Sequence, residues 1–262
     1  MDSELPKRLC KEGTEPQVEK INKCSKLSIL KVLKAHMETE LNDVKKDPIF
    51  AHILAIYENR LGFSRTLIHS FMCRQLLTYK NMNSGLCLLG GRCVFLCKSS
   101  MRSPASSDDD GNNEVEKWDD DGGFWSKLLK KKGKISMTMI RERHVLQAHK
   151  WTRVDRLTLV YVSVIAGVLL AVDEKTAISH DYIKLVMDFE KLRAYPWGLH
   201  SFDHLVNGVV KARADLWKPK SYVLEGFSYA LQIWIMEAIP DLGVSLGKKL
   251  NEISIVTPRC SN

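Results

Sequence analysis

The chain has 262 residues, 45% of them hydrophobic and 27% charged, with a formal net charge of +8 at pH 7. That apolar content suffices for one large or two small packed domains and excludes a chain disordered throughout; the basic balance permits an acidic partner without naming one. Seven cysteines, odd in number and scattered, read as reduced thiols, and the charged opening MDSELPKRLCKEGTEP lacks the apolar stretch of a secretory leader, so the expectation is a protein that starts out in the cytosol.

Residues 1–26 mix Lys, Glu, Pro and Gly without apolar periodicity and are expected to form a disordered tail. From Ser28 the residues Ile29, Leu30, Leu33, Met37 and Leu41 recur at helical spacing, which predicts one amphipathic helix that Pro48 ends or resets. A helix pair follows in PIFAHILAIYENRLGFS and RTLIHSFMCRQLLTY, joined across Gly62 with Ser64 as N-cap. GLCLLGGRCVFLC places two short apolar runs around Gly90-Gly91 and predicts a small β-hairpin, closing an N-terminal unit over 27–100.

Residues 101–126 are rich in Ser, Asp, Gly and Asn and read as an acidic linker. A helical unit is expected over 127–250, with helices at 135–149, 153–172 and after the N-cap Ser179, the last ended by Pro196. A further helix is expected over about 199–216. GFSYALQIWIMEAIP is nearly apolar all round, which predicts a central core position before Pro240, and 251–262 read as a tail. The apolar run LTLVYVSVIAGVLLAV is shorter than the roughly 20 residues of a membrane span, so a buried helix is expected there and no membrane partner. The fold class that follows is mostly α, with one small β-hairpin in the N-terminal half and a disordered tail and linker.

His200 and His204, with Asp203 between them, resemble the reversed zinc-peptidase spacing H-x-x-E-H, and residues i and i+4 share a helix face. Catalysis would need a third protein ligand, which the sequence does not name. The pair is therefore read as structural or solvent-facing, with zinc binding kept as an alternative. Cys73, Cys87, Cys93 and Cys97, with His69, lack the spacing of a zinc knuckle and read as small buried side chains. No G-x-S-x-G, H-E-x-x-H, phosphate loop or G-x-G-x-x-G occurs, so neither an enzyme nor a cofactor nor a small-molecule substrate is expected. Lys127, Lys130, Lys131, Lys132 and Lys134 form a basic run that suits nuclear import or phosphate contact, or simply a solvated helix start; Arg141, Arg143 and Arg153 would extend a phosphate-contacting face.

Three stretches carry a resemblance: GFSRTLIHSFMCRQLLTYKNMNSGLCLLGGRCVFL, then WTRVDRLTLVYVSVIAGVLLAVDE, then LVMDFEKLRAYPWGLHSFDHLVNGV followed by KSYVLEGFSYALQIWIMEAIPDLG. Together, over about residues 47–245, they resemble a plant domain of unknown function found in transposon-derived proteins, commonly preceding a ubiquitin-like-protease (SUMO-protease-like) cysteine peptidase domain. Tyr195, Pro196, Trp197 and Gly198, followed by the run containing Trp234, carry most of that likeness. The chain departs from the family pattern after the hairpin, where relatives continue into a segment like FSLREFALVTGL, and at His200, where an arginine or similar polar residue is usual. The peptidase domain with its catalytic His, Asp and Cys does not appear in the 262 residues. We read YPWG as a corner in which Trp197 is buried and Pro196 with Gly198 redirects the backbone.

The resemblance and the absence of a catalytic frame imply a non-catalytic protein-interaction domain with an unidentified protein partner. A nuclear location is expected, otherwise a cytoplasmic one. A nucleic-acid-binding accessory domain, an expressed relic without a selected role, and a zinc-binding protein are the alternatives.

Overall fold

Helical spacing in the sequence becomes helix in the computed structural model, which describes residues 8–75, 85–87, 93–95, 123–129, 133–218 and 220–246. The amphipathic segment from Ser28 is two helices, α1 (Ser28–His36) and α2 (Glu38–Lys46), broken at Met37 with φ −144° and ψ 48°. Ile29, Leu30, Leu33, Met37 and Leu41 are all buried, so the predicted stripe is the core face although the single helix is not. No glycine or proline marks the break; the Met37 N–H still donates to Leu33 O at 2.7 Å, and Glu40 beyond it meets Arg156 at 2.9 Å.

Asp47 caps α3 (Pro48–Glu58) by accepting the Ile49 N–H, with Pro48 at the first helical position, where its missing N–H costs nothing. The reversal after α3 uses Arg60 at φ 54° rather than Gly62. Ser64 caps α4 (Arg65–Cys73) through Leu67 N, as its position predicts.

Over residues 8–26 the expected N-terminal tail is corrected by the fold, while residues 1–7 lie outside the described residues. Lys20–Lys23 form β1, paired in parallel with β4 (Ser221–Leu224), Ile21 opposite Tyr222. Cys10, Ile21 and Cys24 are buried. A strand of sequence KINK carries one apolar residue, and its partner lies some two hundred positions away, so no local periodicity announces it. The predicted hairpin is present as β2 (Gly85–Cys87) antiparallel to β3 (Cys93–Phe95), Cys87 opposite Cys93; its diglycine turn lies outside the described residues, as does most of the acidic linker. The linker's last residues instead belong to α5 (Phe124–Leu129), which buries Phe124, Leu128 and Leu129.

A helical run over residues 137–150 begins as α6 (Met137–Met139), passes through a wide π turn and continues as α7 (Val145–Gln147) into a tight final turn. Next comes α8 (Arg153–Val164), capped by Thr152 and prolonged by a π turn over Ile165–Leu170. It packs against α1 and α2 and is buried over nearly its whole second half. Among the described residues no helix is long and apolar enough to cross a membrane.

The end of this buried run would strand its carbonyls, since the last turn of a helix has no internal donors. Four groups from elsewhere supply them: Lys26 N to Gly167 O at 3.4 Å, Ser25 Oγ to Val168 O at 3.1 Å, Ser201 Oγ to Leu169 O at 3.0 Å and Gly226 N to Ala171 O at 3.1 Å. Segments distant in sequence are thereby tied to one point.

Ser179 caps α9 (His180–Met187), and Asp188 breaks the chain and caps α10 (Phe189–Ala194). After α11 (Trp197–Arg213) and β4 the chain enters α12 (Ser228–Ala238), and Pro240, expected as a stop, opens α13 (Pro240–Leu246). The expected central place of α12 is not observed. Leu231 and Ile235 are buried, but Trp234 is half-buried with its ring edge-on to Phe71 at 5.7 Å, and Glu237 faces solvent. Two apolar cores result, one around α1, α2, α8 and α9 and one around α4, β4 and α12. The α11 helix contributes Trp197 to the first and Leu205, Val209 and Ala212 to the second.

Candidate functional site

The site is built on α11 and starts from the YPWG corner. Pro196 disfavours helix at Tyr195, so α10 ends at Ala194, and Pro196 itself at ψ 65° turns the chain into α11. Gly198 does not make the turn: it lies in the first turn of α11 with helical geometry, and a Cβ there would meet nothing within 4 Å. Trp197 is buried, its Nε1–H donates to Leu192 O at 2.8 Å, and its ring lies 4.5 Å from that of Tyr195.

The opposite wall comes from the β4–α12 turn. Gly226, at φ +85°, lies so close to α11 that an added Cβ would be 2.4 Å from Leu205 Cα; at Gly208 it would be 2.3 Å from Glu225 O. These two glycines permit a backbone-to-backbone approach that brings Phe227 beside α11. The result is an apolar cleft of about 350 Å³ lined by Ile49, Ile53, Leu169, Trp197, Gly198, Ser201, Phe202, Leu205, Phe227 and Ala230. Its one hydroxyl, Ser201, is committed to Leu169 O.

Beside the cleft, on the adjoining face of α11, stand His200 and His204, ring centres 5.0 Å apart. The Tyr182 hydroxyl hydrogen-bonds His200 Nε2, and the Tyr195 ring meets His200 edge-on at 5.6 Å. Burial lowers the His200 pKa, with neighbouring His204 lowering it further against Asp203; burial also lowers that of His204, opposed by Glu225 and Asp203. Both imidazoles are thus held toward the neutral form, and burial pushes the Tyr182 hydroxyl up to about 12. Among the described residues no group of three or more His, Cys, Asp or Glu side chains converges on a metal-sized position. Of the cysteine cluster, Cys73 lies 3.6 Å from His69 Nε2, while Cys97 lies outside the described residues.

Among the described residues the basic positions do not form one free face. Lys127 pairs with Asp155, Arg141 with Glu174 at 2.6 Å and Arg153 with Asp43 at 2.7 Å. Lys134 and Arg143 are exposed, and Lys130, Lys131 and Lys132 lie outside the described residues. Tyr195 to Gly198 and the histidine pair stand out in the sequence, whereas Gly208 and Gly226 do not, and Phe227 reads there only as part of an apolar stripe. The local signal at Gly226 is only a glycine between a strand and an apolar helix; what it approaches is not readable from its neighbours.

Residues 97–208 match the family model of a domain of unknown function, DUF1985. The matched span takes in α5 to α10 and two thirds of α11, with the YPWG corner and both histidines, and ends at Gly208. No curated protein and no solved structure matches the chain.

Proposed function

We propose that the chain is a non-catalytic protein-interaction domain that seats apolar side chains of a protein partner in the cleft along α11. The single observation that carries this reading is the cleft itself: about 350 Å³, lined almost wholly by apolar side chains, and within the range of ~300–1,000 Å³ typical of binding pockets. Rigid Trp197 and Phe227 on its walls suit the aromatic and aliphatic anchors that dominate interface energetics. A non-catalytic role is supported by the lining, where the sole hydroxyl is spent on a backbone carbonyl, and by the missing catalytic frames in the sequence. Descent from a transposon-associated peptidase architecture rests on the resemblance of the three quoted stretches, and nuclear residence on that same resemblance and on Lys130, Lys131 and Lys132. The nucleic-acid reading is less well supported, because Lys127, Arg141 and Arg153 are engaged by carboxylates.

The test places a photo-crosslinking residue at position 202, identifies the protein captured in nuclear extract, and measures binding of that protein in purified form to wild type and to Phe202→Asp. At least a tenfold loss with Phe202→Asp, no loss with Arg143→Glu and a shallow salt dependence are expected. Affinity indifferent to Phe202→Asp, or tight duplex binding that falls steeply with salt, overturns the proposal.

A further inference from the structure

The N-terminal strap, residues 8–24, is held on the body of the protein by backbone contacts at both ends. At one end Leu9 N donates to Gln75 O at 2.6 Å and Cys10 N to Cys73 O at 3.2 Å; at the other, β1 pairs with β4. Between them His69 Nε2–H donates to Pro16 O at 2.7 Å, and the Tyr222 hydroxyl lies 3.5 Å from Nδ1. At the first end two cysteines meet. Cys10 is 2% and Cys73 1% exposed, and the backbone hydrogen bond between them sets the two thiols side by side in the same buried spot. A direct backbone hydrogen bond brings two Cα atoms to a separation of the order that a disulfide spans, roughly 4.4–6.8 Å.

We propose that Cys10 and Cys73 are an oxidative modification site, a dithiol that takes a low-molecular-weight disulfide such as oxidised glutathione as its oxidant and closes into a disulfide that locks the strap to the end of α4. Cys10 reacts first, because it rides on the strap and is carried into solvent when the strap lifts, whereas Cys73 sits at the end of α4, where burial pushes its thiol up to about 12. The Cys10 thiolate attacks one sulfur of the oxidant, forming a mixed disulfide and releasing one glutathione thiolate. Cys73 then loses its proton and attacks the Cys10 sulfur, releasing the second. Two cysteine thiols are oxidised by two electrons, one glutathione disulfide is reduced to two glutathiones, and the two protons go to the two thiolates released.

His69 does not serve as the base despite lying 3.6 Å from Cys73 Sγ, because its Nε2 lone pair is replaced by the N–H given to Pro16. Burial makes the exchange depend on the strap lifting, so the rate reports that opening. Once formed, the bond ties a loop of about sixty residues and constrains the unfolded chain, so the oxidised protein is the more stable.

The full-length chain is equilibrated anaerobically over a series of reduced-to-oxidised glutathione ratios, quenched with acid, alkylated and peptide-mapped. The expected product is an intramolecular Cys10–Cys73 disulfide with a mass loss of about 2 Da, formed more slowly than in urea, and an upward shift of the thermal midpoint that dithiothreitol reverses. Cys10→Ser removes the linked peptide and the shift; should that variant not fold, the wild-type peptide map alone decides. Cys10 and Cys73 both remaining alkylatable at the most oxidising ratio, or pairing with other cysteines instead of each other, overturns the proposal.

Discussion

Gly226 and Gly198 look alike in sequence, each a glycine beside an aromatic residue near the start of a helix, yet they predict opposite responses to a methyl group. At Gly226 the positive φ and a would-be Cβ 2.4 Å from Leu205 Cα mean that Gly226→Ala must displace α11 from the β4–α12 turn, at a cost of about 3 kcal/mol. Gly198→Ala meets open space within a helix and should be neutral or stabilising by up to about 1 kcal/mol. Urea unfolding of the two variants checks both, and equal destabilisation would show that the close approach is wrong. The histidine pair makes a second prediction at this scale. Both folded pKa values lie below the unfolded value, so the unfolded chain binds more protons in the window between them. Their contribution is fully present above the unfolded histidine pKa of about 6.5 and is lost as pH falls through the folded values. In His200→Gln the stability gained between pH 5 and 7 should be smaller than in wild type, measured by urea midpoints; an unchanged pH slope counts against it.

The α3 helix shows how far an element's ends can be read. Asp47 before Pro48 is a legible N-cap, and the structure gives it three partners: Ile49 N at 3.1 Å, the Tyr161 hydroxyl at 3.0 Å and Arg193 Nε at 3.4 Å. Only the first belongs to its own helix; the others come from α8 and α10. Asp47→Ala should therefore cost more than the ~1 kcal/mol of a lost cap, about 2–3 kcal/mol, because the buried Tyr161 hydroxyl also loses its acceptor. Asp47→Asn keeps one acceptor oxygen, enough for the Ile49 N–H or for Tyr161 and Arg193 but not for both, and should recover only part of it; thermal denaturation of both variants decides. Legibility fails at Met37 and Asp188, where helices break without proline or glycine. Each break falls where the chain must bend to keep Met37 and Leu41, or Val186 and Leu192, against the same core, a demand that only the core makes.

The whole molecule is organised by α11, which enters both apolar cores, and by the capped end of the α8 run, which ties α11, the turn after β4 and the segment before α1 together. The two cores should therefore unfold as one. Far-ultraviolet dichroism and tryptophan fluorescence are expected to give coincident urea transitions in wild type; separate midpoints would mean that α11 does not couple them. Helix content, the hairpin, the caps at Ser64 and Ser179 and the corner at Pro196 were determined by the sequence alone, because periodicity, turn chemistry and caps act over a few residues. The pairing of Lys20–Lys23 with Ser221–Leu224, the ion pairs that occupy Lys127, Arg141 and Arg153, and the cleft closed by Gly208, Gly226 and Phe227 were decided only by the tertiary structure. Each is a contact between residues distant along the chain, and its energy depends on which surfaces packing brings together.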